Sequence, residues 1–129
     1  MDFKKVPYSK LNSKQKENFN FHKVAAALAE YGFNSMRLND DWQGADFISV
    51  HIEGDEMLKI QLKGRFTISS KYIGKKIYVA YIENDVIKLY KHDEAIPLIT
   101  EKKLKHINDT GTYDWPKTPK YFEEIITIL

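Results

Sequence analysis

The sequence predicts an α/β layered domain. Its 129 residues suit one domain with one core. An apolar stripe at helical spacing comes first, several alternating segments follow, and mixed segments close the chain. Hydrophobic residues make up 43% and charged residues 29%, the balance of an ordinary globular protein. Eight Tyr, seven Phe and two Trp supply the bulk for a core.

The opening stretch "MDFKKVPYSKLNSKQ" is polar and basic. Residues 1–14 are expected to be a flexible basic arm, and residues 15–129 the domain. Lys4, Lys5, Lys10, Lys14 and Lys16 either follow a phosphate backbone or serve solubility. "SKQKENFNFHKVAAALAEYGF" reads as a helix, because Phe21, Val24, Ala25, Leu28 and Ala29 recur at helical spacing. Ser13 is the expected N-cap, with Lys16 rather than an acid at the capping-box position, and Gly32 the stop.

"FNSMRL" predicts a short strand, "NDDWQG" a polar turn or loop, and "ADFISVHI" a strand. "EGDE" turns the chain into the return strand "MLKIQLK". Alternation sets Leu58, Ile60 and Leu62 on one face and Lys59, Gln61 and Lys63 on the other. "FTISSKYIGKK" is either a basic segment along a phosphate backbone or an ordinary soluble loop. "KKIYVAYIEND" and "VIKLYKHD" predict two more strands joined at "END". "EAIPLITEKKLKHI" stays open between helix and strand, with Pro97 disturbing a simple helix. "NDTGTYDWPKTP" predicts a long loop, and "KYFEEIITIL" a short terminal helix capped by Thr118 with Pro119 in its first turn.

A formal net charge of +2 permits a nucleic-acid partner without requiring one. With no cysteine, disulfides, thiolate catalysis and thiolate zinc sites are excluded. No signal-peptide core opens the chain, and no run nears the roughly 18 apolar residues of a membrane span. The expectation is a soluble, cytoplasmic protein with no membrane partner. His22, His51, His92 and His106 share no metal-ligand spacing, and nucleotide-binding and nucleophile-elbow motifs are absent.

One constellation carries chemistry. If the strands of "GADFISV" and "MLKIQLK" pair about "EGDE", they run antiparallel, and Asp46 lies at the same end of the ladder as Gln61 and Lys63. Mg²⁺ takes hard oxygen ligands. The Asp46 carboxylate, the Gln61 side-chain carbonyl and the Leu62 backbone carbonyl are candidate ligands, with Mn²⁺ as a substitute ion. Lys63 would orient a water or neutralise charge developing on phosphorus. The alternative is a hairpin with a solvated polar face.

This arrangement resembles the PD-(D/E)XK nuclease superfamily, which includes many restriction enzymes and Holliday-junction resolvases. The resemblance covers about residues 15–83. "ALAEYGFNSMRL" is similar to the helix, glycine and first strand that open small resolvase-like members. "GAD" stands where the family has Pro-Asp, and "QLK" where it has Asp/Glu-x-Lys. The resemblance implies a restriction-endonuclease-like core, a mixed central β-sheet with flanking helices in a single domain. It gives Asp46 the role of the metal-binding aspartate, Gln61 the second acidic position and Lys63 the lysine. Gln61 removes one negative charge, as glutamine does in some active members, and Asp40 and Asp41 could restore it; Asp55 and Glu56 are expected to lie too far away. Many members carry an acid in the first helix, for which Glu17 is the candidate; it is equally an ordinary first-turn acid.

The resemblance implies a metal-dependent endonuclease hydrolysing DNA phosphodiester bonds, structure-selective or nicking, and acting as a homodimer. Arg65, Lys71, Lys75 and Lys76 are candidate phosphate contacts. Trp42 would either stack on an unpaired base or pin its loop to the core. Trp115 is expected to anchor the C-terminal loop. Two other readings stay open. In one, the nuclease fold has a weakened metal site and binds nucleic acid or a protein. In the other, a small interaction protein merely carries a similar hairpin.

Overall fold

The computed structural model describes residues 1–129. Helix α1 spans Ser13–Ala29, and its start differs from the sequence reading. Asn12, not Ser13, is the N-cap: its side chain accepts from the Gln15 N–H, and the Gln15 side chain accepts from the Asn12 N–H, both at 2.9 Å. This reciprocal pair satisfies two donors, which a cap at Ser13 facing Lys16 would not do. The chain leaves α1 through Gly32 at φ +85, the left-handed backbone that glycine adopts without cost.

Strand β1 then runs from Phe33 to Trp42, so "NDDW" is strand and not loop. Trp42 pairs with Ala45, and Gln43 and Gly44 alone turn the chain, both at positive φ. Such a turn matches the twist of a hairpin, and a register irregularity between Arg37 and Trp42 absorbs the polar run. β2 (Ala45–His51) and β3 (Met57–Leu62) form the antiparallel hairpin expected about "EGDE". β5 (Ile77–Glu83) joins β3 in parallel, and β6 (Val86–Lys91) follows β5 through Asn84 and Asp85, both at positive φ.

Three segments depart from their sequence readings. "FTISS" is no soluble loop: β4 (Thr67–Ser69) is buried and pairs with β7 (Thr112–Asp114), inside the stretch read as a long loop. The segment left open between helix and strand is no departure, since it is helical: after β6 comes a 3₁₀ segment, His92–Leu98, which contains Pro97, and then α2, Glu101–Thr110, capped by Thr100. The terminal helix is only a 3₁₀ segment, Lys120–Ile125, followed by strand β8 (Ile126–Ile128). Thr118 does not cap it. Its N–H and hydroxyl both donate to Glu83 Oε2, at 3.0 and 2.9 Å.

The main sheet is mixed and six-stranded, in the order β1-β2-β3-β5-β6-β8. On one face, Phe21, Val24 and Leu28 of α1 pack against Phe47, Ile60, Ala80 and Leu89. On the other, Ile77, Val79, Tyr81 and Tyr90 meet a layer that includes Phe66, Ile68, Ile107 and Phe122. Phe66 stacks on both Tyr90 and Phe122, with centroids 4.3 and 4.2 Å away. A fully buried side chain of this size contributes about 1.5–3 kcal/mol. Trp115 anchors the C-terminal stretch, edge-on to Phe66 and Phe122. The expected mixed sheet with flanking helices in a single domain is the fold observed. No helix is long and apolar enough to cross a membrane.

Candidate active site

The hairpin register runs from Val50↔Met57 to Phe47↔Ile60. One step further along the ladder, Asp46 comes level with Gln61. Asp46 Oδ2 accepts the Leu62 N–H at 2.9 Å, so the carboxylate is tied to the strand end that leads into Lys63. The Lys63 N–H in turn donates to the Ala80 carbonyl at 3.0 Å, which anchors that end to β5.

Asp46 opens into a cleft of about 400 Å³ whose lining includes Glu17, Arg37, Asp40 and Asp41. The first turns of α1 thus bring Glu17 to the sheet end that carries Asp46. Arg37 of β1 holds it there with an ion pair at 2.9 Å, and Lys14 adds a longer one at 3.5 Å. Burial above all pushes the Asp46 carboxyl above its ordinary range. The Leu62 N–H and Lys63 pull it down, while the negative charges of Glu17 and Asp41 push it up. Carboxylates that repel one another beside carbonyl oxygens form a hard donor set, which suits a small divalent cation.

Lys63 stands with its ammonium 5.5 Å from the centre of the Tyr72 ring, and Lys71 lies 5.2 Å from the same centre. Burial lowers the Lys63 pKa, and Lys71 lowers it further; Asp46 and Asp114 act the other way. Tyr72 is itself pushed up to about 12, by burial and then by Asp46 and Asp41, so its phenol stays protonated.

Gln61 is half-buried, with its Nε2 3.4 Å from the Leu62 carbonyl. Its amide therefore faces the carbonyl that would be its neighbour in a ligand set. Arg65 is paired with Asp114, Nε to Oδ1, at 3.1 Å. Lys75 and Lys76 are not brought to the site. Ile77 pairs with Lys59, so they lie at the opposite end of β3 from Lys63. Trp42 ends β1 rather than sitting in a loop, and Lys59 stands 5.8 Å over its ring.

Two residues of this site escaped the sequence reading. Arg37 had no motif to mark it, and Tyr72 was one residue among a basic segment. A separate cluster was missed as well. His51, Glu53 and Asp55 offer ligand atoms that all lie within 4.8 Å of one another, and together they could coordinate a divalent cation. The H-x-E-x-D spacing in a turn was the available signal. Beyond the Val50–Met57 pair, this cluster occupies the end of the hairpin away from Asp46.

No protein-family model matches the chain. No curated protein matches it either. Among solved structures, the chain is similar to a bacterial homing endonuclease, I-Ssp6803I, at 12% identity and a TM-score of 0.53. The similarity covers 86% of this chain and 84% of that one. At that identity, the likeness is one of fold.

Proposed function

We propose that the chain is a metal-dependent endonuclease of the PD-(D/E)XK type that hydrolyses DNA phosphodiester bonds. One observation carries this reading: Asp46, tied to the Leu62 N–H, faces the same cleft as Glu17 at the strand end that continues into Lys63. The likeness in fold to a homing endonuclease supports it.

Asp46, Glu17 and the Leu62 carbonyl would hold the ion, with the Gln61 carbonyl as a further donor once its amide turns. Mg²⁺ or Mn²⁺ would supply Lewis-acid stabilisation of the phosphoryl oxygens. The Asp46 carboxylate is oriented by the backbone of β3 and needs no large rearrangement. Lys63 orients the attacking water and offsets the negative charge that grows on phosphorus. Tyr72, kept neutral, forms the wall on which the Lys63 stem and ammonium rest. Lys71 adds positive potential that draws the polyanion toward the carboxylates. Arg65 joins the phosphate contacts by exchanging Asp114 for the backbone. Cutting both strands of a duplex takes two such sites, so a homodimer is part of this proposal.

The test is cleavage of supercoiled plasmid and branched DNA with Mg²⁺ or Mn²⁺. Wild type should cut, chelator should stop it, and Asp46→Ala or Lys63→Ala should lower the rate at least about 100-fold while the fold is kept. Cleavage that survives both substitutions would place the chemistry elsewhere. The approach of the Gln61 amide to the Leu62 carbonyl favours a second reading, a nuclease fold that binds nucleic acid without cutting. Folded protein that binds DNA but cuts with neither metal would select it.

A further inference from the structure

A second cleft, which Asp46 does not line, opens beside Lys63. Its volume is about 270 Å³. Tyr8 and Phe19 form its aromatic wall, and Gly64 and Ile82 line it next to Lys63. Asn20, Asn84 and Asp85 bring polar groups to the same space. Asn84 and Asp85 form the tight turn between β5 and β6, both at positive φ.

The two aromatic residues belong to neither core cluster. Tyr8 is 43% and Phe19 39% exposed, and their rings meet at 5.3 Å and 60°. The Asn20 amide donates to the Tyr8 hydroxyl at 3.1 Å, which holds the arm against α1. Cations surround the wall: Lys16 lies 5.4 Å from the Tyr8 ring centre and Lys23 5.5 Å from that of Phe19. Aromatic faces, amide groups and flanking ammonium groups form a surface that accepts a planar base with a phosphate on either side.

The cleft is continuous with the candidate active site. A shallow groove beside Ser13, Lys16 and Glu17 shares Lys63 and Gly64 with this cleft, and shares Glu17 with the carboxylate cleft. A strand whose phosphate lies at Asp46 therefore has a path over Gly64 to the Tyr8–Phe19 wall.

We infer that this cleft is a subsite for one unpaired nucleobase of the strand bound at the carboxylate cleft. The inference rests on the proposed nuclease function and adds a substrate preference to it, for nucleic acid with a single-stranded or extruded nucleotide. A cleft of about 270 Å³ with one aromatic wall takes one base, and a base still paired in a duplex cannot enter it.

The experiment uses the full chain with chelator present, so that binding is read without cleavage. The probes are a thymidine decamer carrying one 2-aminopurine and a blunt duplex of the same length. Wild type should bind the single strand more tightly than the duplex and change the 2-aminopurine emission. Tyr8→Leu and Phe19→Leu should each weaken single-strand binding about five- to a hundredfold and abolish the emission change, with duplex affinity kept. Leucine keeps apolar contact at these exposed positions, and circular dichroism checks the fold. Tyr121→Leu, on the exposed ring of a distant segment, should change nothing. Single-strand affinity and emission that are unaltered in both cleft variants would overturn the subsite, while metal-dependent plasmid cleavage by wild type would leave the nuclease reading standing. Failure of wild type to bind the single strand more tightly than the duplex would also overturn the subsite, and the nuclease reading falls separately if folded wild type cuts plasmid with neither metal.

Discussion

At the residue scale, Gly44 shows how one backbone position governs the site. It sits at φ +87, and a Cβ there would lie 3.0 Å from the Tyr72 ring. Gly54 has a similar φ, +75, with nothing within 4 Å. Gly54→Ala should therefore cost only left-handed strain, about 1–2 kcal/mol. Gly44→Ala should cost more, because the Tyr72 ring must also give, and Lys63 rests on that ring. Urea midpoints of the two variants measure the difference, and equal losses would mean that the ring moves freely. Glu17 illustrates the reverse relation between role and legibility. An acid near a helix start is ordinary, and only its Arg37 partner and the shared cleft with Asp46 distinguish it.

At the scale of elements, α1 is positioned by its first turn. The Asn12–Gln15 capping box sets where the helix begins, and hence where Glu17 and the Asn20–Tyr8 contact fall. Asn12→Ala should lower stability by about 1 kcal/mol, read as a shift in the urea midpoint without a change in slope. No loss would mean that water replaces the cap. The hairpin of β2 and β3 was legible because alternation and a polar turn leave one natural register, and that register brings Asp46 level with Gln61. The β4–β7 pairing was not legible. Each of its strands has three residues, too few for a period to declare itself, and they lie far apart in the chain.

At the scale of the whole molecule, His92 joins the two sheets. Its ring is fully buried at the end of β6. Nε2 accepts the Ser69 N–H at 3.0 Å, so Nδ1 carries the proton and donates to Asp93 at 3.0 Å. Burial holds the His92 pKa below its ordinary 6.5, against the opposing pull of Asp93. The unfolded chain then binds this proton at a higher pH than the folded one. Stability from His92 is complete above pH 6.5 and is lost as the pH falls from there toward the folded pKa. Urea midpoints measured between about pH 7.5 and pH 5 should fall in wild type, and fall less steeply in His92→Gln. Parallel slopes would assign the pH dependence to other groups.

By itself, the sequence determined the layered α/β class, helix α1, the β2–β3 and β5–β6 hairpins of the main sheet, and the placement of Asp46, Gln61 and Lys63 near one strand end. Those features follow from short-range periodicity and turn chemistry, which neighbouring residues carry between them. Only the tertiary structure decided that β1 runs through "NDDW", that β8 closes the sheet edge, and that Lys75 and Lys76 fall away from the site. It alone brought Arg37 to Glu17, Tyr72 beneath Lys63, and Tyr8 and Phe19 beside Gly64. These contacts join elements distant in sequence, and their partners are chosen by burial and register, which a linear pattern does not encode.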